Sequence, residues 1–459
     1  MVPERNEAAV ASHVVDMATL GGSFGSPAMR QIWDESNRLR QQLRVEGALA
    51  LAEADLGMIP SDAAQSIATA AEVSYDLTAL AEAARTSMHS LNATVVALQH
   101  QAGEAGEWVH YGVTTQDVVD TGLALQLAQA YDVVHADTLA LARHLKRLAA
   151  EHRDTVMAGR THFIQALPTT FGFKVAVWLD EMVRHLARLD AVRDEVRTGN
   201  INGAVGTYSA FEGQGRAVEK ATLERLGLNA PRISWQASRD RIYSYAGVLG
   251  GISASVGKIA TALTLLMQTE VGEVAEPYTA GKIGSTTMPH KRNPALLEGV
   301  AALTAPVQHA RALIGGSMQS LHERDAISWR AEWVGIPEIH LYLDAQLVTL
   351  ARILDGLVVD SDRMRRNLDL LGGLVMSEHV MFQLGRAIGK QTAHHVVYEA
   401  AMRSAETGEP FAEVLLADER VTAHADRAAV ESWLEPTSYL GEAGDAVDAV
   451  LAAATEAGV

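Results

Sequence analysis

The sequence predicts an all-α fold built around a bundle of long helices. Three observations favour it: many alanines with little proline, few aromatic residues, and apolar residues that recur at helical spacing. The 459 residues include 12 Pro, 7 Trp, 10 Tyr and 7 Phe. Because sheets are enriched in aromatic and β-branched residues, this composition favours helix over strand.

Long helices are predicted where apolar residues alternate in steps of three and four, which places them on one helix face. In the first segment these residues are Leu123, Leu127, Ala130, Val134, Leu141, Leu145 and Leu148. In the second they are Val175, Leu179, Met182, Leu186 and Leu189, and in the third Tyr245, Leu249, Ile252, Val256, Ile259, Leu263 and Leu266. Long helices of this kind commonly pack against copies of themselves. We therefore expect a homo-oligomeric bundle, with a monomeric bundle as the alternative.

Shorter helices, broken by glycine and proline, are predicted on either side of this central region. Glycine pairs at 21–22 and 372–373 interrupt them. The sequence thus predicts an N-terminal helical domain over 1–112, a central long-helix domain over 113–370, and a C-terminal helical domain over 371–459.

Composition excludes several classes of function. The chain has no cysteine, which excludes disulfides, thiolate metal sites, iron–sulfur clusters and a cysteine nucleophile. Its 38 Lys+Arg against 56 Asp+Glu give a net charge of −18, which argues against nucleic-acid binding. No signal peptide is evident, and the apolar stretch 242–257 is too short for a membrane span. We expect a cytoplasmic protein without a membrane partner.

Motifs for nucleotide cofactors and metals are missing from the sequence. Neither GxxxxGK[ST] nor a strand-flanked GxGxxG occurs. His322-Glu323 begins like a zinc-protease motif, but Ala326 stands where the second histidine is required. We therefore expect neither a cofactor nor a metal.

Four polar segments that contain glycine interrupt the helical pattern. They lie at 110–117, 159–162, 199–206 and 281–294. Taken singly, each fits helix capping and turn chemistry, and Thr114 or Thr115 would make a good N-cap. The segment 281–294 differs, because it joins glycines and three hydroxyls to three groups that can carry positive charge. Backbone N–H groups of such a loop, with a lysine close by, can stabilise an oxyanion.

The segment 281–294 fits the signature G-S-x-x-M-x-x-K-x-N of the fumarase/aspartase superfamily, which the chain resembles. The matching residues are Gly284, Ser285, Met288, Lys291 and Asn293. Segments 159–162 and 110–117 resemble two further conserved regions of that superfamily, in the same order. The resemblance therefore spans nearly the whole chain.

The resemblance implies a fold and a reaction. The fold is three all-α domains, the central one giving five long helices to the twenty-helix core of a homotetramer with active sites shared among chains. The reaction removes a proton beside a carboxylate and expels a group from the adjacent carbon, usually leaving fumarate. By resemblance Ser285 is the general base, which needs assistance from the loop, and His162 is the general acid, a role that suits a histidine pKa.

A site for a small polycarboxylate is expected around these two residues, since cations gather there in an acidic chain. The expected substrate-binding residues are His89, Thr114, Thr115, Arg160, Thr161, Gln236, Lys291, Asn293 and Arg324. For Arg160, a structural ion pair is an equally weighted alternative. Arg239 and Arg241 are expected to pair with Asp240 or with helix ends.

Two branches of the superfamily compete for this sequence. His89, Gln236 and the His-Glu-Arg-Asp run at 322–325 resemble adenylosuccinate lyase, whereas stretches such as 266–274 resemble bacterial 3-carboxy-cis,cis-muconate cycloisomerase. His162 stands where the typical bacterial cycloisomerase has tryptophan, and it favours C–N cleavage.

We therefore predict a lyase that cleaves an N-substituted aspartate and releases fumarate. The alternatives are the cycloisomerase, a nitrosuccinate-type lyase and a non-catalytic scaffold. The leaving group is left open, because the residues expected to select it lie in the variable stretches 23–24 and 329–333, which include Trp329, Arg330 and Trp333.

Overall fold

The computed structural model describes residues 11–277, 287–288 and 290–459. Helices make up most of this part of the chain, which confirms the all-α prediction. The first helices are α1 (Pro27–Trp33), α2 (Glu35–Asp55), α3 (Ser61–Ala71), α4 (Leu77–Ser87), α5 (Ser90–Ala102), α6 (Thr115–Glu151), α7 (Phe171–Val196), α8 (Gly215–Leu226) and α9 (Asp240–Leu266). They are followed by α10 (Ala295–Ala302), α11 (Thr304–Gly316), α12 (Ala326–Asp355), α13 (Ser361–Leu368), α14 (Ser377–Ile388), α15 (Lys390–Thr407), α16 (Phe411–Leu416), α17 (Glu419–Thr422), α18 (Arg427–Trp433) and α19 (Ala443–Glu456).

Strands are short and pair in two antiparallel sheets within the described residues. The first sheet joins β1 (Val156–Thr161) to β2 (Ile164–Thr170) and contains a bulge between Ala158 and Arg160. The second joins β3 (Val274–Ala275) to β4 (Val358–Val359). Neither sheet changes the fold class, but the first carries two of the predicted site residues, Arg160 and Thr161, on β1, and His162 follows in the turn.

The three predicted rows of apolar residues, which we call the apolar seams, lie on α6, α7 and α9. All of their residues are buried except Leu123, which is half-buried. The third seam ends with its helix, since Glu270, the next position after Leu266 at this spacing, is exposed and lies beyond α9. Burial of one continuous face stabilises such helices at roughly 25 cal/mol per Å² of apolar surface.

Two compact units divide the described chain. The first comprises the described residues up to Thr138, His185–Gly257 and Gly299–Val348. In it, α2 packs on α3 and α8, and the apolar core includes Leu49, Ile67, Leu98 and Phe211.

The second unit comprises Leu139–Arg184, the described part of Lys258–Glu298, and Thr349–Val459. One apolar cluster of this unit lies among α14 to α18 and includes Leu384, Val396, Phe411 and Leu415. The hairpin of β1 and β2 also belongs to this unit, and α13 packs on β1.

One described helix has the length and composition of a membrane span. It is α9, with a mean hydropathy of 1.5 over its most apolar window, half of which is buried inside the chain. Core helices of globular proteins that are apolar on all sides share these properties. This single helix is therefore weak evidence for a span.

Candidate functional site

Four of the predicted substrate-binding residues form a polar cluster in the first unit. The Arg324 guanidinium donates a hydrogen bond to Thr114 Oγ1 at 2.6 Å, and Thr115 Oγ1 lies 3.5 Å from His89 Nε2. His89 caps α5, because its Nδ1 accepts the Asn92 backbone N–H at 3.1 Å. In the neutral ring Nε2 then carries the proton and points it at Thr115. We call His89, Thr114, Thr115 and Arg324 the polar cluster.

Gln236 lies beneath the segments 110–117 and 199–206, which the structure brings together. Its amide donates to Asp117 Oδ1, Asn202 Oδ1 and the Gly203 carbonyl at 3.0–3.1 Å. Asp117 also accepts three backbone N–H groups, including that of Thr114 at 3.0 Å. Gln236 is thus placed to hold the loops that carry the polar cluster, and its buried Oε1 has no partner among the described residues.

Asp117 is a buried acid at the base of this loop arrangement. Burial raises the pKa of Asp117 to about 6, although the backbone N–H groups that it accepts act in the opposite direction. Sequence reasoning included Asp117 in a polar segment but assigned it no role. Its position three residues after Thr114, ahead of an apolar run, is a helix-capping signal that could have identified it.

Arg239 forms a buried ion-pair triad, which corrects the sequence-based expectation. Its guanidinium binds Asp120 at 2.8 and 3.1 Å and Glu332 Oε1 at 2.8 Å, whereas Asp240 accepts from Ser238 instead. Arg239 lies just before α9 and Asp240 begins it, and their side chains turn to different partners. Arg241, also expected to be paired, makes no ion pair with the described residues.

Two buried carboxylates on α2 were missed by sequence reasoning. Glu46 Oε1 lies 2.6 Å from His110 Nδ1; burial lowers the pKa of His110, but attraction to Glu46 raises it overall. Glu53 is fully buried, and neither carboxyl oxygen has a partner in the described part of the chain. Burial, and then the charge of Glu46, raise the pKa of Glu53 to about 9.

In the second unit, His162 and Phe163 form the two-residue turn of the β1–β2 hairpin. Both have positive φ, 50° and 69°, which fits a type I′ turn. Such turns favour Asn and Gly, so the backbone is strained here, a feature that clusters at functional sites. Thr161 and His162 are exposed, and His162 makes no hydrogen bond with the described residues.

Arg160, at the base of the same hairpin, is paired with a buried carboxylate. Its guanidinium makes two hydrogen bonds to Glu273, at 2.6 and 3.0 Å, and Asn367 donates to the same carboxylate at 2.7 Å. The ion-pair alternative for Arg160 therefore matches the geometry. Nearby, burial lowers the pKa of Lys174, and the charge of Arg160 lowers it further.

The signature segment is described only in part. Ser285, the predicted general base, lies outside the described residues. Lys291 is exposed and its backbone N–H donates to the Met288 carbonyl at 3.0 Å, while Asn293 is half-buried just before α10. Glu276 Oε1 accepts the backbone N–H groups of Leu296 and Leu297 at 3.0 and 2.9 Å. A carboxylate from a distant segment thus caps α10.

The variable stretch 329–333 contributes two stacked indole rings. The ring centroids of Trp329 and Trp333 are 6.1 Å apart at an interplanar angle of 21°. Arg330 lies between them in sequence and is exposed. Across 11–277, 287–288 and 290–459, no three His, Asp or Glu side chains gather as metal ligands.

Known proteins match this chain over most of its length. A family model described as Lyase matches residues 22–308, and one described as Adenylosuccinate lyase C-terminus matches residues 373–450. The chain is 54% identical to N-acetyl-S-(2-succino)cysteine lyase of Dickeya dadantii over 443 residues, which cover 96% of this chain and 98% of the relative.

Two further similar proteins are named for a different reaction. The chain is 40% identical to 3-carboxy-cis,cis-muconate cycloisomerase of Pseudomonas aeruginosa, with coverage of 94% and 95%. It superposes on the 3-carboxy-cis,cis-muconate lactonizing enzyme of Pseudomonas putida with a TM-score of 0.91 and 36% identity, covering 95% of this chain and 99% of that one.

Proposed function

Since the chain belongs to the lyase family of the fumarase/aspartase superfamily, we propose that it cleaves the C–S bond of an S-(2-succinyl) thioether and releases fumarate and a thiol. The observation that carries this proposal is the 54% identity to N-acetyl-S-(2-succino)cysteine lyase along almost the entire chain. The superfamily predicted from the sequence is confirmed. The C–N cleavage predicted from His162 stays a prediction.

The proposed elimination involves two proton transfers and the shift of two electron pairs. Ser285 removes the proton from the carbon beside a carboxylate, the C–H electrons form the double bond of fumarate, and the bond from the adjacent carbon to sulfur breaks. The departing thiolate takes a proton from His162. Donors set in advance around the developing carboxylate charge lower the barrier.

A histidine acid suits a sulfur leaving group as well as a nitrogen one. An ordinary thiol has a pKa of about 8.5, so a thiolate leaves more easily than an amide anion and needs less help from an acid. His162 therefore supports C–S cleavage without deciding against C–N cleavage. The second candidate, cleavage of an N-substituted aspartate, is favoured by the adenylosuccinate lyase match over residues 373–450.

The substrate carboxylates are assigned to the predicted binding residues. The polar cluster supplies hydroxyl, imidazole and guanidinium donors, and we assign Thr161, Lys291 and Asn293 as further donors. Gln236 and Arg160 act by positioning other residues. The described contacts of Gln236 hold the segments 110–117 and 199–206, and those of Arg160 anchor the β1–β2 hairpin. The homotetramer with shared active sites, the three-domain division, the absence of a cofactor and the cytoplasmic location belong to the same proposal.

A panel of substrates tests the function. The purified protein is given S-(2-succinyl)-N-acetylcysteine, adenylosuccinate, other N-substituted aspartates, nitrosuccinate and 3-carboxy-cis,cis-muconate, with fumarate followed by its ultraviolet absorbance and products by mass spectrometry. We expect fumarate from the thioether. Turnover of N-substituted aspartates alone would favour the second candidate, and lactone formation alone would overturn both.

The variant Ser285→Ala separates an enzyme from a scaffold. Loss of the general base lowers turnover by two or more orders of magnitude while the oligomer persists. Full activity in this variant would refute the assignment of the base.

A further inference from the structure

A cleft of about 350 Å³ lies in the first unit beside the N-terminal half of α2. Its lining comes from two stretches of the chain. One is part of α2, residues 36–44, and the other is 71–77, which runs from the end of α3 to the start of α4. None of the lining residues belongs to the polar cluster. We call this space the α2 cleft.

Two arginines line the α2 cleft without a carboxylate partner. Arg40 and Arg44 are four residues apart on α2, so they share a helix face, with Cβ atoms about 5–6 Å apart. Each donates to a neutral amide three residues earlier, Arg40 to Asn37 Oδ1 at 3.3 Å and Arg44 to Gln41 Oε1 at 2.7 Å. Neither forms an ion pair within the described part of the chain. A guanidinium has five N–H groups, so most of them are available to a ligand.

Positive charge exceeds negative charge among the residues that line the α2 cleft. Glu72 is the one carboxylate among them, and its side chain is exposed and forms no ion pair with either arginine. The chain as a whole has a net charge of −18. Two unpaired arginines beside one carboxylate are therefore a local exception in an acidic protein, and such a place attracts anions.

Further hydrogen-bond donors lie beside the arginines. The hydroxyl groups of Ser36 and Ser74 and the backbone N–H of Ser74 make no hydrogen bond with the residues that the structure describes. Ser36 comes four residues before Arg40 and so lies on the same face of α2. The Tyr75 hydroxyl, by contrast, already donates to the Ala70 carbonyl at 2.9 Å. The α2 cleft thus offers donors that a carboxylate can accept.

Apolar side chains complete the lining and distinguish the kind of anion. Leu43 and Ala71 are buried, and Leu39 and Leu77 are half-buried. A hydrated inorganic ion gains nothing from apolar surface, whereas a short carbon chain is stabilised when it packs on such side chains. Each arginine can bind one carboxylate through two parallel hydrogen bonds. An organic acid with two carboxylates therefore matches both the charged and the apolar residues.

We propose that the α2 cleft is a binding site for a small organic dicarboxylate. Arg40 and Arg44 each pair with one carboxylate, and the carbon chain between the carboxylates packs on Leu39 and Leu43. The hydroxyl groups of the two serines donate to the remaining carboxylate oxygens. The proposal does not rest on the proposed function, because the residues to which the elimination is assigned do not line this cleft.

Isothermal titration calorimetry with succinate tests the proposal on the intact protein. Succinate is titrated into the unaltered protein and into the variants Arg40→Gln and Arg44→Gln, which keep a polar side chain but lose the charge. We expect each variant to weaken succinate binding at one set of sites by about tenfold, because a charge-assisted pair is lost. Both arginines are exposed, so we expect the variants to fold, which circular dichroism checks.

Two further variants are the controls. Arg386→Gln removes an exposed arginine of α14, outside the α2 cleft, and should leave succinate binding unchanged. Arg324→Gln alters the polar cluster, to which substrate carboxylates are assigned, and should preserve the binding that depends on Arg40 and Arg44. Propionate, with one carboxylate, and inorganic phosphate, with no carbon chain, should each bind the unaltered protein more weakly than succinate at these sites.

The contrary results are equally definite. Unchanged succinate affinity in both Arg40→Gln and Arg44→Gln, or an equal loss in Arg386→Gln, would overturn the site. Phosphate or propionate binding as tight as that of succinate would overturn the assignment to a dicarboxylate. The titrations need no turnover, so a failure of the proposed lyase activity would leave their outcome unaffected.

Discussion

Glu53 has no hydrogen-bond partner among the described residues, so the folded chain favours its protonated form. Its pKa rises from 4.5 to about 9 on folding. Between these values the folded chain holds a proton that the unfolded chain releases, so the stability contributed by this group falls as pH rises. At pH 7 the free energy of unfolding contributed by Glu53 is roughly 3 kcal/mol lower than at acidic pH, at 1.36 kcal/mol per pKa unit.

Glu53→Gln should therefore raise the free energy of unfolding at pH 8 more than at pH 5. The amide stays neutral in both states, which removes the proton uptake that folding requires at pH 8. Urea unfolding at the two pH values, at one protein concentration, measures the effect. Glu104→Gln, at an exposed position, is the control and should change neither value. An equal effect of both variants would show that burial of Glu53 is not the cause.

At the scale of an element, the β1–β2 hairpin combines strain with exposure. His162 and Phe163 occupy left-handed backbone conformations, and the Phe163 side chain is 84% exposed within the chain. A left-handed conformation costs a residue with a side chain about 1–2 kcal/mol, a cost that glycine avoids. The hairpin is therefore held in a geometry that its turn residues do not favour, and Arg160 and Glu273 anchor its base.

Replacing Phe163 by Gly and by Ala separates backbone strain from the role of the ring. Both variants remove the ring, but only Gly relieves the strain, so Phe163→Gly should be more stable than Phe163→Ala by about 1 kcal/mol. If the strained turn orients His162, kcat should fall further in the Gly variant. Chemical unfolding and steady-state kinetics measure these effects. Equal free energies of unfolding for the two variants would show that the backbone at Phe163 is not strained.

At the scale of the whole molecule, several large apolar side chains are exposed on the chain taken alone. Ile164, Ile233, Ile327 and Leu370 are each more than 65% exposed. Association of copies in the proposed homo-oligomer would cover such side chains, although scattered apolar residues are also ordinary on the surfaces of monomers.

Light scattering on the purified protein should give about four times the chain mass of 49.2 kDa. Ile164→Ser and Ile327→Ser should weaken the assembly where these side chains are covered by another copy. Glu104→Gln, at an exposed polar position, again serves as the control. A native mass equal to that of one chain would contradict the tetramer.

The sequence predicts the helices better than their polar contacts. The apolar seams on α6, α7 and α9 are local patterns, and a period near 3.6 identifies the buried face without knowledge of the partner helix. The pairing of Arg239 with Asp120 and Glu332 joins residues about a hundred positions apart, and no local pattern encodes it. The same reason explains why Glu53 and the capping role of Glu276 were missed.

For the site residues too, local motifs identify the residues but not all of their contacts. Short motifs identified Thr114, Thr115 and Arg324, and the structure brings these together with His89. The motif around Arg160 was recognised too, but its partner Glu273 was not, because that contact depends on the folding of the hairpin.

The stacked indole pair on α12 has an evolutionary consequence. Trp329 and Trp333 lie in the variable stretch 329–333, whereas Ser285 and His162, the residues assigned to proton transfer, lie outside it. Substitutions in one set can therefore accumulate without altering the other. A chain of this design can acquire a new leaving group through a few changes in side-chain size and polarity while it inherits its elimination chemistry intact.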